Sequence, residues 1–304
     1  EYEKQVEFLD KIDIIDFCSN DVSTEITHQL DLIKNLRQAF LCEAMQGLLV
    51  SNETSDNKTG ADLLAEIQAE KAQLVKEKKI KKPKPLAPIT NEEIPFAIPE
   101  NWTWWRLGEI IKDFLSGNAF KSQLYSKEET NNFVIRLGNV KNNIVDEYLK
   151  PAFIDDEYAK DSQKYLLEKD DVLITMTGTR GKKDYLYTSI VGDKGKNKLF
   201  LNQRVGCLRF ISSNVIYLNY LLKLDFILNP IFDSSTGAAN QANIGVDAIN
   251  NAIIPLPPLE IQERIVAKLD ELMGYCDALE EQVKQSQQTN ELLLQQVRLE
   301  AWGA

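Results

Sequence analysis

The sequence predicts an α+β fold: a mixed α/β domain at residues 94–258, flanked by two long helices that pack antiparallel as a coiled-coil stalk. Three observations predict it. Leu269, Leu272, Cys276, Leu279, Val283, Ser286, Asn290, Leu293 and Val297 alternate steps of three and four, the seam of a heptad helix. Near the other end, Ile26, Leu30, Ile33, Leu36 or Arg37, Phe40 and Ala44 draw a second apolar stripe at helical spacing. Between them lie β-rich runs separated by Gly- and Asn-containing turns, with one helix expected over 219–228.

Residues 1–50 hold the first helix. Ser23 or Thr24 suits its N-cap. The shorter pattern Val6, Leu9, Ile12, Ile15 is either a separate helix or a continuation across Ser19-Asn20-Asp21. Residues 51–93 read as a connector with a short charged helix, ending in Lys81-Lys82-Pro83-Lys84-Pro85-Leu86-Ala87-Pro88. Lysines there suit phosphates, but a basic, proline-rich run reads first as a solvated spacer. Within 94–258, the runs 132–137, 171–176 and 205–211 carry the β-branched and apolar residues of buried strands. Trp102, Trp104 and Trp105 are assigned to core packing rather than to base stacking. Residues 259–304 form the second long helix, whose seam needs the first as its partner.

At 304 residues and 43% hydrophobic, the chain is of ordinary globular composition. Its apolar stretches fall well short of the roughly 20 residues of a membrane span, and no signal peptide is apparent. Cys18, Cys42, Cys207 and Cys276 are scattered and there is one histidine, His28, which argues against zinc and disulfide scaffolds and for a cytoplasmic protein. The net charge of −11 hides a gradient. Residues 1–57 carry 4 basic and 12 acidic groups, and residues 261–304 carry 4 and 8. By contrast, 177–209 hold eight basic side chains against Asp184 and Asp193. The helical ends are acidic and one central stretch is basic.

Several chemistries lack their parts. There is no phosphate-cradling G-x-x-x-x-G-K-[ST], and Gly178-Thr179-Arg180-Gly181-Lys182 is too short to replace it. No Asn/Asp-Pro-Pro-aromatic motif of an amino-methyltransferase is present, and Asp155, Asp156 and Glu157 read as a solvated loop rather than a metal centre. No cofactor or metal is expected. Three readings remain: a DNA-recognition subunit, a coiled-coil interaction scaffold, or a DNA-modifying enzyme with an unrecognised motif.

Read in order, four stretches separate them. Ile94-Pro95-Phe96-Ala97-Ile98-Pro99-Glu100-Asn101-Trp102 opens the domain, and Leu256-Pro257-Pro258-Leu259-Glu260-Ile261-Gln262-Glu263-Arg264 leads out of it into the second helix. Glu168-Lys169-Asp170-Asp171-Val172-Leu173-Ile174 followed by Thr177-Gly178-Thr179, and Thr24-Glu25-Ile26-Thr27-His28-Gln29-Leu30 before Leu36-Arg37-Gln38, lie between and before them. Together they resemble the specificity (S) subunits of type I restriction-modification systems. The resemblance implies a non-catalytic subunit whose target-recognition domain, here 94–258, reads double-stranded DNA. It also implies separate methylation (M) and restriction (R) subunits as partners, directed to a bipartite site. Full family members carry two such domains spaced by antiparallel helices. The single domain and the missing initiating methionine imply the C-terminal half of a longer protein, or a half-subunit that self-associates.

Base readout needs forked donors for guanine and amides for adenine, while lysines mostly meet phosphates. Candidate residues are Lys121, Arg136 and Asn139; Thr177, Arg180, Lys182 and Lys183; Lys196 and Lys198; Asn202, Gln203 and Arg204; and Asn240, Gln241 and Asn243. Of these, Arg180, Arg204, Gln203 and Asn240 best suit base edges.

Overall fold

The computed structural model describes the backbone of residues 2–238 and 241–303; the side chains of residues 1–13, 298 and 301–304 lie outside the description. The chain divides into two compact units, 44–266 and a second made of 1–43 with 267–304.

The first unit is closed by an antiparallel pair between Thr103–Arg106 and Ile253–Leu256. Pro255 donates no backbone hydrogen, which a two-stranded sheet tolerates, and its carbonyl accepts from the buried Tyr217 hydroxyl at 2.9 Å. Arg106, nearly buried, ties this pair to the connector. It donates to the carbonyls of Ala87, Pro88 and Asn251 and pairs with Glu93 at 2.8 Å. Gly60 opens the connector helix Gly60–Lys76 against the same pair, where a Cβ would collide with the Leu256 carbonyl. Trp102 is buried and donates to Asn52, and Trp104 packs edge-on to Phe96 and Phe226. Both are packing residues.

Inside the closure, four antiparallel strands form a sheet in the order Ile111–Ser116, Val205–Phe210, Val172–Thr175, Thr188–Ile190. Val172, Leu173 and Ile174 are all fully buried, as a strand covered on both faces requires. A parallel pair, Asn132–Ile135 with Lys198–Leu201, contributes to the same core. At one end of the sheet Arg209 forks onto Asp171 at 2.7 and 2.9 Å. The neighbouring Cys207 thiol is pushed far up by burial first and by Asp171 second, so it stays protonated.

The helix expected over 219–228 is instead two, Val215–Leu221 and Asp225–Asp233, bent by 64°. The bend lets Leu221, Leu222 and Leu224 all become fully buried, which one straight helix with a single inward stripe would not do. Among the described residues no single helix is long and apolar enough to cross a membrane.

The second unit pairs the two long helices, Tyr2–Met45 and Leu259–Gly303. The first is continuous through Ser19-Asn20-Asp21. The hydroxyls of Thr24 and Thr27 bond back to carbonyls four residues earlier, so these polar residues need no break in the helix. The side chains of Val6, Leu9 and Ile12 lie outside the described residues. Ile26 and Ile33 are buried, with Leu30 and Arg37 half-buried on the same stripe.

On the second helix the seam departs from expectation beyond its first turns. Leu269, Leu272, Cys276, Val283 and Asn290 are buried or half-buried as expected, and Met273, Glu280, Gln287 and Leu294 are half-buried with them. Leu279, Ser286, Leu293 and Val297 are exposed. Arg37 bonds Asp277 and Glu280, each at 2.5 Å, an ion pair that composition alone conceals and that occupies the seam at Glu280.

Two outcomes follow. Asp171→Ala removes the fork under the half-buried Arg209 and leaves it only the Leu166 carbonyl and the more distant, exposed Glu168, so it should cost about 1–3 kcal/mol, read as a lowered urea midpoint with unchanged slope. A double-mutant cycle on Arg37→Ala and Glu280→Ala should give a coupling of about 0.5–1 kcal/mol that fades in high salt; zero coupling at low salt would show that the pair does not help hold the helices together.

Candidate nucleic-acid interface

The turn 202–204 joins the strands Lys198–Leu201 and Val205–Phe210, and the backbone holds it from three sides. Asn202 N–H donates to Ile135, Gln203 N–H donates to Asn118, and the Arg204 carbonyl accepts from Met176. Gly117 makes one of these approaches possible, because a Cβ there would meet the Asn202 carbonyl. With its main chain fixed, the turn presents the Gln203 and Arg204 side chains to solvent. Neither makes a hydrogen bond or ion pair among the described residues.

Arg204 stands between two adjoining depressions. One, of about 320 Å³, is lined by Lys141, Thr177, Gly178, Thr179, Tyr187 and Gln241 among others; the second, of about 580 Å³, by Arg136, Asn139, Lys150 and Asn202. Both include Leu137, Gly138 and Arg204, so they form one concave surface. The Thr177 hydroxyl and the Arg136 Nε are buried there without a partner. Unsatisfied buried donors are uncommon in folded proteins and mark places where a ligand or water completes the bonding.

The other candidate residues divide by what they already hold. Asn139 is buried and fully engaged, donating to Asp146 and Leu149 and accepting from the Arg136 N–H; it shapes the loop that carries Arg136. The Arg136 guanidinium donates to Lys150. Arg180 donates to Ser235 at 2.8 Å and Gly237 at 3.3 Å, clamping that segment to its own turn. Lys183 bonds Asn229 and sits over the Phe232 ring, whereas Lys182 is exposed. Gln241 and Asn243 lie on the small sheet that pairs with Thr177–Gly178. Asn240 lies outside the described residues.

Lys198 is exposed at the far end of the strand that leads to Asn202, about 13 Å from the turn at a strand's rise, and Lys196 is exposed in the turn before it. Lys121 is exposed and lines neither depression. The structure adds Lys141, whose Nζ lies 4.9 Å over the Tyr187 ring, and Lys150. Their only sequence signal was proximity to the 136–139 loop. The acidic trio is accounted for in part by local structure: Asp155 caps a short helix and Asp156 accepts from Asn132.

The model of the type I restriction modification DNA specificity domain matches residues 99–287. The chain is 34% identical over 257 residues to the type I restriction enzyme EcoAI specificity subunit of Escherichia coli, covering 84% of this chain and 42% of that one. It is 30% identical over 271 residues to the EcoEI specificity subunit of the same organism, covering 84% and 43%. The chain thus spans about two-fifths of the length of these relatives. A looser likeness, TM-score 0.46 at 19% identity over 93% of this chain and 57% of the other, links it to the HsdS subunit of Thermoanaerobacter tengcongensis. With the family model matching well over half of its length, the chain belongs to the type I restriction modification DNA specificity domain family.

Proposed function

We propose that residues 94–258 are a target-recognition domain reading one part of a double-stranded DNA site, and that the chain is non-catalytic. In this reading 51–93 is the connector, while 1–50 and 259–304 are spacer helices offered to methylation and restriction subunits. The observation that carries it is the backbone-clamped turn presenting an unpaired Arg204 and Gln203 from a concave surface. Arginine's fork matches guanine O6 and N7, and glutamine's amide matches adenine N6 and N7. A rigid mount matters because it leaves little backbone ordering to oppose binding, only that of the two side chains.

The residues around the turn sort into roles. Arg204, Gln203 and Gln241 face the ligand; Lys141, Lys150 and Lys182 are placed for phosphates. Arg180 and Asn139 position the loops that carry the others.

Enrichment of bound duplexes from a randomised pool by the chain should yield a preferred sequence. Arg204→Ala should weaken the preferred duplex by about 1–3 kcal/mol and relax preference at one base pair; a folded variant with unchanged preference would dismiss the turn as a reader. Lys182→Ala should weaken all duplexes alike and lower the salt slope by about 1. Arg180→Ala, acting through the 235–237 segment, should weaken binding with little change in that slope. If Arg180→Ala and Lys182→Ala altered the slope equally, the division of roles between them would be wrong.

A further inference from the structure

The Lys/Pro run of the connector is not a free spacer. At one end the connector helix finishes with Lys79 and Ile80 N–H groups returning to the Leu74 carbonyl, and Lys71 donates to the carbonyls of Gly108 and Glu109. At the other end Arg106 grips Ala87 and Pro88. Pro83 and Pro85 stiffen what lies between. Thus pinned, the run lies along Ile111–Ser116, an edge strand of the four-stranded sheet, across a groove of about 690 Å³.

The groove is basic. Lys81, Lys82, Lys84 and Lys112 line it, all exposed and without an anionic partner among the described residues, and Lys164 joins them. Glu109, Asp113 and Asp247 are the acids that line it. At a strand's rise its six-residue wall is on the order of 20 Å long, about six charge spacings of one DNA strand at roughly 3.4 Å each. The wall ends at Ser116, and the next two residues are those that touch the 202–204 turn: Gly117 packs on the Asn202 carbonyl and Asn118 accepts from the Gln203 N–H.

From this placement we infer that the groove is a phosphate-contact site for the DNA backbone flanking the bases met by Gln203 and Arg204. The inference deepens the proposed DNA-reading role and rests on it. Ammonium groups held on a stiff, pinned run release counterions on binding whatever the base sequence, so the groove contributes affinity and no discrimination. The free edge strand also suits an acidic peptide adding as a further strand. Continuity with the reading turn favours DNA.

The test uses the full chain and two probes, a randomised 30-base-pair duplex pool and the duplexes enriched from it, each titrated over a range of salt. In the variant K81Q/K82Q/K84Q/K112Q, both probes should lose affinity by the same factor and the log–log salt slope should fall by about 3 to 4. The matching lysine-to-arginine variant should restore both. A glutamine variant with the parent's circular dichroism and melting temperature but a slope within about 1 of the parent's would overturn the inference and leave the lysines to an acidic protein segment. Arg204→Ala, run in parallel, should instead reduce the ratio between the probes. If the parent itself failed to distinguish the probes, the base-reading role would fail, whereas the glutamine variant's slope on the unselected pool would still decide the groove.

Discussion

Two four-residue strands, Thr103–Arg106 and Ile253–Leu256, pair across the whole length of the domain, and nearly everything else depends on that closure. It brings the two ends of the domain together, so the connector and the outgoing helix can share contacts. Arg264 donates to Ser51 and Glu53, and Glu260 accepts from the Ser55 backbone and hydroxyl. Arg106, inside the closure, holds carbonyls from both sides of the domain. A buried guanidinium is tolerable only when its donors are satisfied, and here three carbonyls and Glu93 do so. The arginine is thereby a sensor of correct closure, since a slipped strand would leave its charge unpaired.

The reading turn follows the same logic on a smaller scale. Its main-chain groups are bound to three separate segments, 117–118, 135 and 176, each anchored in or beside the central sheets. Among the described residues, Gln203 and Arg204 keep their side chains free of internal partners, while Arg180 nearby is already engaged. The contrast between Arg204 and Arg180 shows this. Both are exposed arginines in the basic stretch, yet one has no internal partner and the other bonds two carbonyls. Exposure alone does not separate the two; the presence or absence of an internal partner does, and it is the basis on which Arg204 is proposed as the reader.

This contrast also explains how much could be read in the sequence. The helices, the buried strands and the exit into the second long helix were legible because periodicity and β-branched content report burial directly. The turn at 202–204 was legible as a polar cluster. That Arg180 is already engaged was not, because the carbonyls it bonds lie 55 and 57 residues away in the chain. The bonds of Asn139 were hidden for a related reason: an amide suited to adenine is equally suited to stapling its own loop. On the second helix, hydrophobicity favoured Leu279 for the seam, yet Leu279 is exposed and Glu280, paired with Arg37, is half-buried there. Long-range polar partners are the part of the fold that pattern reading sees least.

The net charge of −11 is the last apparent obstacle to a DNA-binding role, and it dissolves on considering range. At 0.1 M salt, exposed charges are largely screened beyond roughly 10 Å, so a phosphate responds to the side chains that line its own groove and hardly to the total. The groove beside the edge strand and the depression around Arg204 both have more basic than acidic lining residues. The acidic excess resides in sequence segments that supply neither lining. With screening of this range, the acidic segments neither add to nor subtract much from the field inside the basic linings, and the sign of the total charge decides little about what those linings attract.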